Sequence, residues 1–381
     1  MKSRKKIIRS STVPQSLETF CKGVLKELSE DYDVIALSSP GEALDLVGNR
    51  EGVRTIAVPM ERHISVLKDL KSLLALVKVF HRERPDMVHS MTPKAGLLCM
   101  MAAWMTRVPV RIHTFTGLVF PTATGLTKRI LMFTDRITCV CATHIIPEGE
   151  GVKNDLITNK ITRKPLKVLG FGNVRGIDMD YYSRRPEVEE MAGSIRNEKV
   201  FSFLFVGRIV TDKGINELVS SFNRLNAEYP RARLFLVGEF ENTIDPIDRS
   251  TKNLMSGNGN IVSVGPKTET DLLAYYAASD CFVFPSYREG FPNTVLEAGA
   301  MGLPCIVTDI NGSREIIKDG FNGLVIPPRD ENALYEAMRR MLENPEERES
   351  MASVARGHIA SHYEQGFVRK CLFELYNRVL A

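Results

Sequence analysis

Short, near-continuous apolar runs recur along the whole chain, and the stretches between several of them carry apolar residues at helical spacing. In the first half the runs are KIIRS, DVIAL, RTIAV, PDMVHS, VPVRIHTF, ITCVCAT and PLKVLG; in the second they are FSFLFVG, ARLFLVG, NIVSVG, CFVFPS, PCIVTD and GLVIP. Each is rich in β-branched and aromatic residues and short enough to be a strand, whereas LKDLKSLLALVKVFHRE (67–83) has the 3.6-residue period of an amphipathic helix. Strands that are apolar on both faces and alternate with helices belong to parallel sheets covered on both sides. The pattern therefore predicts an α/β chain of two doubly wound, Rossmann-like sheets. Glycines cluster and the periodicity lapses in GFGNVRGIDMDYYSRRP (170–186), which sets the domain boundary there.

Composition narrows the class. A chain of 381 residues is too long for one core and suits two domains. With 44% hydrophobic and 25% charged residues, disorder is excluded as an expectation, and 50 basic against 46 acidic residues leave no general polyanion-binding surface, so nucleic acid is not an expected partner. The seven cysteines are odd in number and scattered. Cys139 and Cys141, read as lying on one face of a strand, cannot bridge each other, which points to a reducing cytosol. The basic start MKSRKKIIRSSTVP lacks a signal-peptide core, and the longest apolar stretch, AGLLCMMAAWM (95–105), is far short of the roughly 20 residues that cross a bilayer. The expectation is a cytoplasmic protein, soluble or peripheral at the inner membrane. LTKRILMFTDRI (126–137), with Leu126, Ile130, Leu131 and Phe133 beside Lys128, Arg129 and Arg136, reads either as a helix covering the core or as a basic membrane-facing one.

The densest chemistry lies in SYREGFPNTVLEAGAMGLP (286–304). Glu289 and Glu297 stand eight positions apart, and Gly290, Phe291, Pro292 and Asn293 follow the first acid directly. The apolar run before it predicts a strand, Pro292 can open a helical turn, and TVLEAGAM continues at helical spacing. A helix that begins at a strand end directs free N–H groups and a positive dipole end at any phosphate or sugar placed there. Glu289 is expected at the mouth and Glu297 about two turns deeper. The two carboxylates suit a ligand with both hydroxyls and phosphates.

These residues carry a resemblance. The run is similar to the donor-site signature of the retaining GT-B glycosyltransferases, family four, in which E-G-F/x-P is followed by E-A-x-A-x-G-x-P. VFSFLFVGRIVTDKG (200–214) resembles that family's strand followed by G-R-x-x-x-x-K-G, and GSREIIKDGFNGLVIPP (312–328) also matches, so the likeness covers essentially the whole C-terminal half. It implies an acceptor-side domain over 1–173, a nucleotide-sugar-binding domain over 174–365, and a helix, 366–381, crossing back to the first. Arg208 and Lys213 are then implied to neutralise the leaving diphosphate, Glu289 to hold the transferred sugar, Glu297 the ribose hydroxyls, and Thr294 with the backbone N–H groups from Gly290 onward the phosphate or sugar. Taken singly, Arg208 and Lys213 read equally well as solvated loop charges, whereas an acid that merely pairs with a neighbour is the lesser reading of Glu297.

The likeness in the first half is looser. VPVRIHTFTGL (108–118) puts His113 at a strand end, where it reads as a structural histidine or, by the resemblance, as a catalytic group near the donor sugar. HSMTPKAGLL (89–98) with IHTFTGLVFP resembles bacterial enzymes of capsule, O-antigen or other polysaccharide synthesis, and sets Thr92 and Lys94 at a strand end on the acceptor side. One departure stands out. The family often has a glycine-rich loop after the first strand; here RSSTVPQSLETF (9–20) has no glycine, and Ser10, Ser11 and Thr12 are left either to supply hydroxyls and N–H groups ahead of a helix near Pro14 or to shape the acceptor pocket. Asp31 with Asp33 and Asp178 with Asp180 spell D-x-D, but both read as short acidic turns, and His358 with His362 lacks the acid of H-E-x-x-H. No metal and no cofactor are expected. The nucleotide sugar, expected to be UDP-linked although the sequence does not identify the base, is a substrate, and the acceptor is a glycan or lipid-linked glycan. Two rivals remain at this stage: a GT-B sugar-nucleotide epimerase, and a non-catalytic subunit of a glycan-assembly complex.

Overall fold

A computed structural model describes residues 4–61, 65–243 and 245–381. The chain divides into two compact units, one made of Met1–Gly176 with Gly366–Ala381, the other of Ile177–Gln365.

Unit 1 holds a six-stranded sheet of β1 (Lys6–Ser10), β2 (Asp33–Ser38), β3 (Arg54–Ala57), β4 (Met87–Met91), β5 (Val110–Phe115) and β6 (His144–Pro147), in the order β3-β2-β1-β4-β5-β6. All neighbours are parallel. Both faces are packed. Ile8, Ile35 and Val88 enter one core with the helices Val66–Glu83, Pro93–Met105 and Gly125–Cys141, while Ile7, Val34 and Met87 enter the other beneath Pro14–Cys21, Glu42–Glu51 and the C-terminal helix Gln365–Leu380. This two-sided burial is what the uninterrupted apolar strands require. The C-terminal helix contributes Leu372, Leu375 and Leu380 to the core, and its buried Tyr376 meets the Arg9 guanidinium at 2.6 Å and His89 Nδ1 at 2.5 Å.

Unit 2 repeats the plan with β7 (Phe201–Val206), β8 (Ala232–Val237), β9 (Ile261–Gly265), β10 (Cys281–Phe284), β11 (Cys305–Thr308) and β12 (Gly323–Ile326), ordered β12-β11-β10-β7-β8-β9. In both sheets the winding reverses beside the first strand, between β1 and β4 and between β7 and β10. Ligands of such sheets bind outside the carboxyl ends of the strands at that reversal.

Two local expectations are corrected. ITCVCAT is not a strand: Cys139 and Cys141 end the Gly125–Cys141 helix, because this β-branched run continues that helix's buried stripe through Thr138, Cys139 and Cys141. The strand is instead the short β6, which begins three residues after Cys141. PLKVLG forms only an isolated bridge, Leu166 to Ile145. The 126–137 segment shows both of its readings, with Leu131 packed against the core and Leu126, Ile130 and Phe133 exposed. None of the seven cysteines is in a disulfide.

Candidate functional site

The carboxyl ends of β7 and β10 lie side by side at the reversal of the second sheet, and the residues singled out in the second half cluster there. After β7 the chain passes Gly207 and Arg208 into a 3-10 turn, Thr211–Lys213, closed by Gly214. Gly214 has φ +71°, and a Cβ there would stand 2.1 Å from the Pro285 carbonyl oxygen. Only glycine lets the turn lie this close to the end of β10. Gly238 plays the same part beside β7, where a Cβ would sit 1.8 Å from the Gly207 oxygen.

This approach brings Lys213 onto Glu289: the ammonium donates to Glu289 Oε1 and lies 5.2 Å from the centre of the Phe284 ring. Glu289 Oε1 also accepts from Ser286 Oγ at 2.8 Å. Both charged side chains are half-buried, so their position is fixed by partners rather than by solvent. Arg288 ties the same loop back to the turn through Asp212 at 2.8 Å, and the Tyr287 hydroxyl donates to Glu217 at 2.5 Å. Arg208 is different. Its side chain is 60% exposed, and Nη1 meets Glu241 Oε2 at 2.7 Å.

The helix expected after Glu289 spans Asn293–Ala300, with Pro292 as its N-cap rather than as its first helical residue. Gly290, Phe291 and Pro292 are buried leading into it, and the Phe291 ring packs on Tyr363, so any ligand contact by Phe291 comes from its backbone. Asn293 and Thr294 open the helix, where N–H groups lack intrahelical acceptors. Glu297 lies about one turn into the helix rather than two turns beyond Glu289, because residues 289–292 are not helical. It is only 6% exposed, and its two carboxylate oxygens accept from Tyr182 at 2.8 Å and Tyr276 at 3.1 Å. The Tyr276 hydroxyl is held well above its usual range, by burial first and by the Glu297 charge second, so it stays a donor. Neither tyrosine was visible as a site residue in the sequence. Tyr182 is placed by Arg356, which donates to the carbonyls of Tyr182 at 2.5 Å and Met179 at 2.6 Å, a contact spanning 174 positions for which the sequence holds no local signal.

In unit 1 the reversal lies between β1 and β4, and Thr12 and Thr92 meet there with hydroxyls 2.8 Å apart. Thr12 Oγ1 accepts from Ala95 N at 3.1 Å, and so caps the Pro93–Met105 helix that begins right after Thr92. Thr92 itself has φ +69°, a left-handed conformation uncommon for a β-branched residue. Ser11 turns its hydroxyl to the Val13 carbonyl at 2.7 Å. Lys94 points to the Val66–Glu83 helix, with Nζ 2.6 and 2.7 Å from the Asp69 carboxylate.

His113 is not at a strand end. It is the fourth residue of β5, wholly buried, with Nδ1 2.9 Å from Ser90 Oγ and the ring edge-on to Phe115. A Cβ on Gly96 would lie 2.3 Å from the ring, so the imidazole is clamped under the Pro93–Met105 helix, and burial pushes its pKa down to about 3. The strand runs two residues past His113 and ends at Phe115, and the alternation of β5 turns the ring into the core face. The other buried histidine of this sheet, His89, is also held neutral, by burial first and then by Arg9.

Among the described residues no three His, Cys, Asp or Glu side chains converge as metal ligands, and no helix is long and apolar enough to cross a membrane.

The comparisons agree with this layout. Residues 18–172 match the family described as glycosyl transferase 4-like domain, and residues 187–358 the one described as glycosyl transferases group 1. The chain is 32% identical over 378 residues to the capsular polysaccharide biosynthesis glycosyltransferase CapM of Staphylococcus aureus, covering 98% of this chain and 97% of that protein. It is 29% identical over 323 residues to the Escherichia coli UDP-Gal:alpha-D-GlcNAc-diphosphoundecaprenol alpha-1,3-galactosyltransferase, covering 83% and 81% of the two chains. Among solved structures, Anabaena Alr3699/HepE in complex with UDP superposes with a TM-score of 0.81 over 98% of this chain and 100% of that one, at 16% identity, which speaks for the fold. Two parallel six-stranded units, the motif residues gathered at the reversal of the second, and near full-length identity to CapM together make this chain a member of the group 1 glycosyl transferase family, with the GT-B fold.

Proposed function

We propose that the protein transfers a sugar from a nucleoside diphosphate sugar, UDP-linked, to a hydroxyl of a carbohydrate or lipid-linked glycan during bacterial capsule, O-antigen or exopolysaccharide synthesis, with retention at the anomeric carbon. The observation that carries this reading is the meeting of Lys213, Glu289 and the start of the Asn293–Ala300 helix at the reversal of the second sheet, with Arg208 on the same loop and Glu297 on the same helix. The names of the capsular and galactosyl relatives support the substrate classes.

The difficult event is departure of a diphosphate from an oxocarbenium-like carbon. Positive groups fixed in advance where that charge grows lower the barrier most. Arg208, Lys213 and the helix N-terminus supply them, so the reading requires no metal. Glu297, held from behind by two tyrosines, keeps lone pairs for the ribose hydroxyls, and Glu289 for those of the sugar. The bond from C1 to the diphosphate oxygen breaks, the acceptor oxygen bonds to C1 on the same face, and the acceptor's proton passes to the departing phosphate oxygen. No protein base is required, which suits a His113 that is buried and neutral. Thr12, Thr92, Ser11 and Lys94 are assigned to the acceptor side. The exposed Leu126, Ile130 and Phe133, with Lys128 and Arg129, are assigned to an anionic inner leaflet.

A melting screen over UDP-, GDP-, ADP- and dTDP-sugars tests the donor: a ligand at 100 times its dissociation constant adds about 2.7 kcal/mol. The UDP-sugars should raise the melting temperature. Proton NMR of the product should then show the donor's anomeric configuration, with activity unchanged by EDTA. Inversion, loss of activity with EDTA and rescue by manganese, or epimerisation of the nucleotide sugar with no acceptor present would each defeat the corresponding part.

A further inference from the structure

Glu241, in the loop after β8, has no role in the mechanism above, yet its Oε2 lies 2.7 Å from Arg208 Nη1. The loop is laced to the Arg208 segment. Ile209 N donates to the Glu239 carbonyl at 2.8 Å, Ile209 bridges to Phe240, and Asp212 N donates to Asp245 Oδ2 at 2.7 Å. Glu241 is therefore kept beside Arg208 by hydrogen bonds to the residues on both sides of it. Its own side chain is only 23% exposed against 60% for that of Arg208.

We propose that Glu241 is an internal competitor for Arg208, a specificity-determining carboxylate that pairs with the guanidinium whenever no diphosphate does and gives way to one on binding. The inference rests on the reading of Arg208 as part of the diphosphate clamp. An ion pair this exposed contributes at most about 1 kcal/mol. A diphosphate offers more than one charge and a bidentate partner for the planar guanidinium, so it displaces the carboxylate. A singly charged anion exchanges one weak pair for another and gains little. Glu241 thus sets the charge a ligand needs in order to hold Arg208. Its return also hastens departure of the nucleoside diphosphate product, because the guanidinium is never left unpaired.

Isothermal titration of the wild type, Glu241→Gln, Arg208→Ala and the double variant, with UDP and inorganic pyrophosphate as probes, tests this. Glu241→Gln should tighten both probes by about two- to fivefold, the affinity equivalent of such a pair. That gain should vanish in the Arg208→Ala background. Weaker or unchanged binding in Glu241→Gln would overturn the proposal, and so would an equal gain without Arg208, which would mean a general field effect. The underlying site reading fails separately: if Arg208→Ala leaves both probes bound as in the wild type, or the wild type binds neither, the diphosphate clamp itself is wrong.

Discussion

Replacing Gly214 by alanine tests whether the turn that carries Lys213 does chemistry or merely closes a loop. The residue has φ +71°, and its added methyl carbon would lie 2.1 Å from the Pro285 oxygen. A left-handed alanine costs roughly 1–2 kcal/mol. The contact itself must open by about 1 Å to reach an ordinary C···O separation of about 3.3 Å, and the turn is the part free to move. Gly320 provides the control, because it has nearly the same φ, +73°, precedes the edge strand β12, three strands from β7, and has no atom within 4 Å of the position an added methyl would take. Both variants should lose about 2–4 °C of melting temperature per kcal/mol in a unit of this size. They should part in activity. A displacement of about 1 Å at Lys213 should lower sugar transfer by on the order of 100-fold, whereas Gly320→Ala should turn over like the wild type. Steady-state transfer assays on the two folded variants decide it. Equal turnover in both would show that the Lys213 turn is not part of the reacting site.

Arg208→Ala or Lys213→Ala should lower the turnover number by on the order of 100-fold, as loss of one preorganised donor to a developing anion does, and near wild-type turnover of the folded double variant would remove the clamp. Glu297→Gln should mainly raise the Michaelis constant for the donor, since ribose is held alike in ground and transition states; a fall in turnover alone would contradict this. Lys128→Glu with Arg129→Glu should reduce flotation with anionic liposomes, and unchanged flotation would clear that helix of membrane contact. Burial depresses the folded-state pKa of His113 to about 3 from an ordinary 6.5, so its contribution to stability is present above about pH 6.5 and is lost as pH falls toward 3. Asp135, whose carboxyl burial pushes up to about 7, acts with the opposite sign over part of that range. The clean measurement is therefore the difference between the wild type and His113→Gln in urea unfolding at pH 7, 6 and 5: it should shrink by up to about 1.4 kcal/mol per pH unit, and a pH-independent difference would show that His113 titrates normally.

The second unit was more legible in sequence than the first, and the reason is physical. Its rim charges sit in the same few residues as the glycines that follow the strands: Gly207 precedes Arg208, Gly214 follows Lys213 and Gly290 follows Glu289. Geometry of that kind is written into adjacent residues. His113 is a contrary case. Whether a polar residue near the end of a β-rich run faces the rim or the core depends on where the strand stops, and β5 continues two residues beyond it to Phe115. Period-2 alternation then turns the ring against Gly96, a neighbour from another element that the sequence could not supply. ITCVCAT failed for a related reason, since a short apolar run satisfies strand and buried-helix patterns alike and only packing against the sheet separates them. The supports of Glu297 and Lys213 were hidden too. Tyr182 reaches Glu297 across 115 positions, and Arg356 reaches Tyr182 across 174. Motif spacing thus identified groups that could touch a ligand, while the groups that hold them still come from elements far apart in the chain and become visible only once the fold has brought them together.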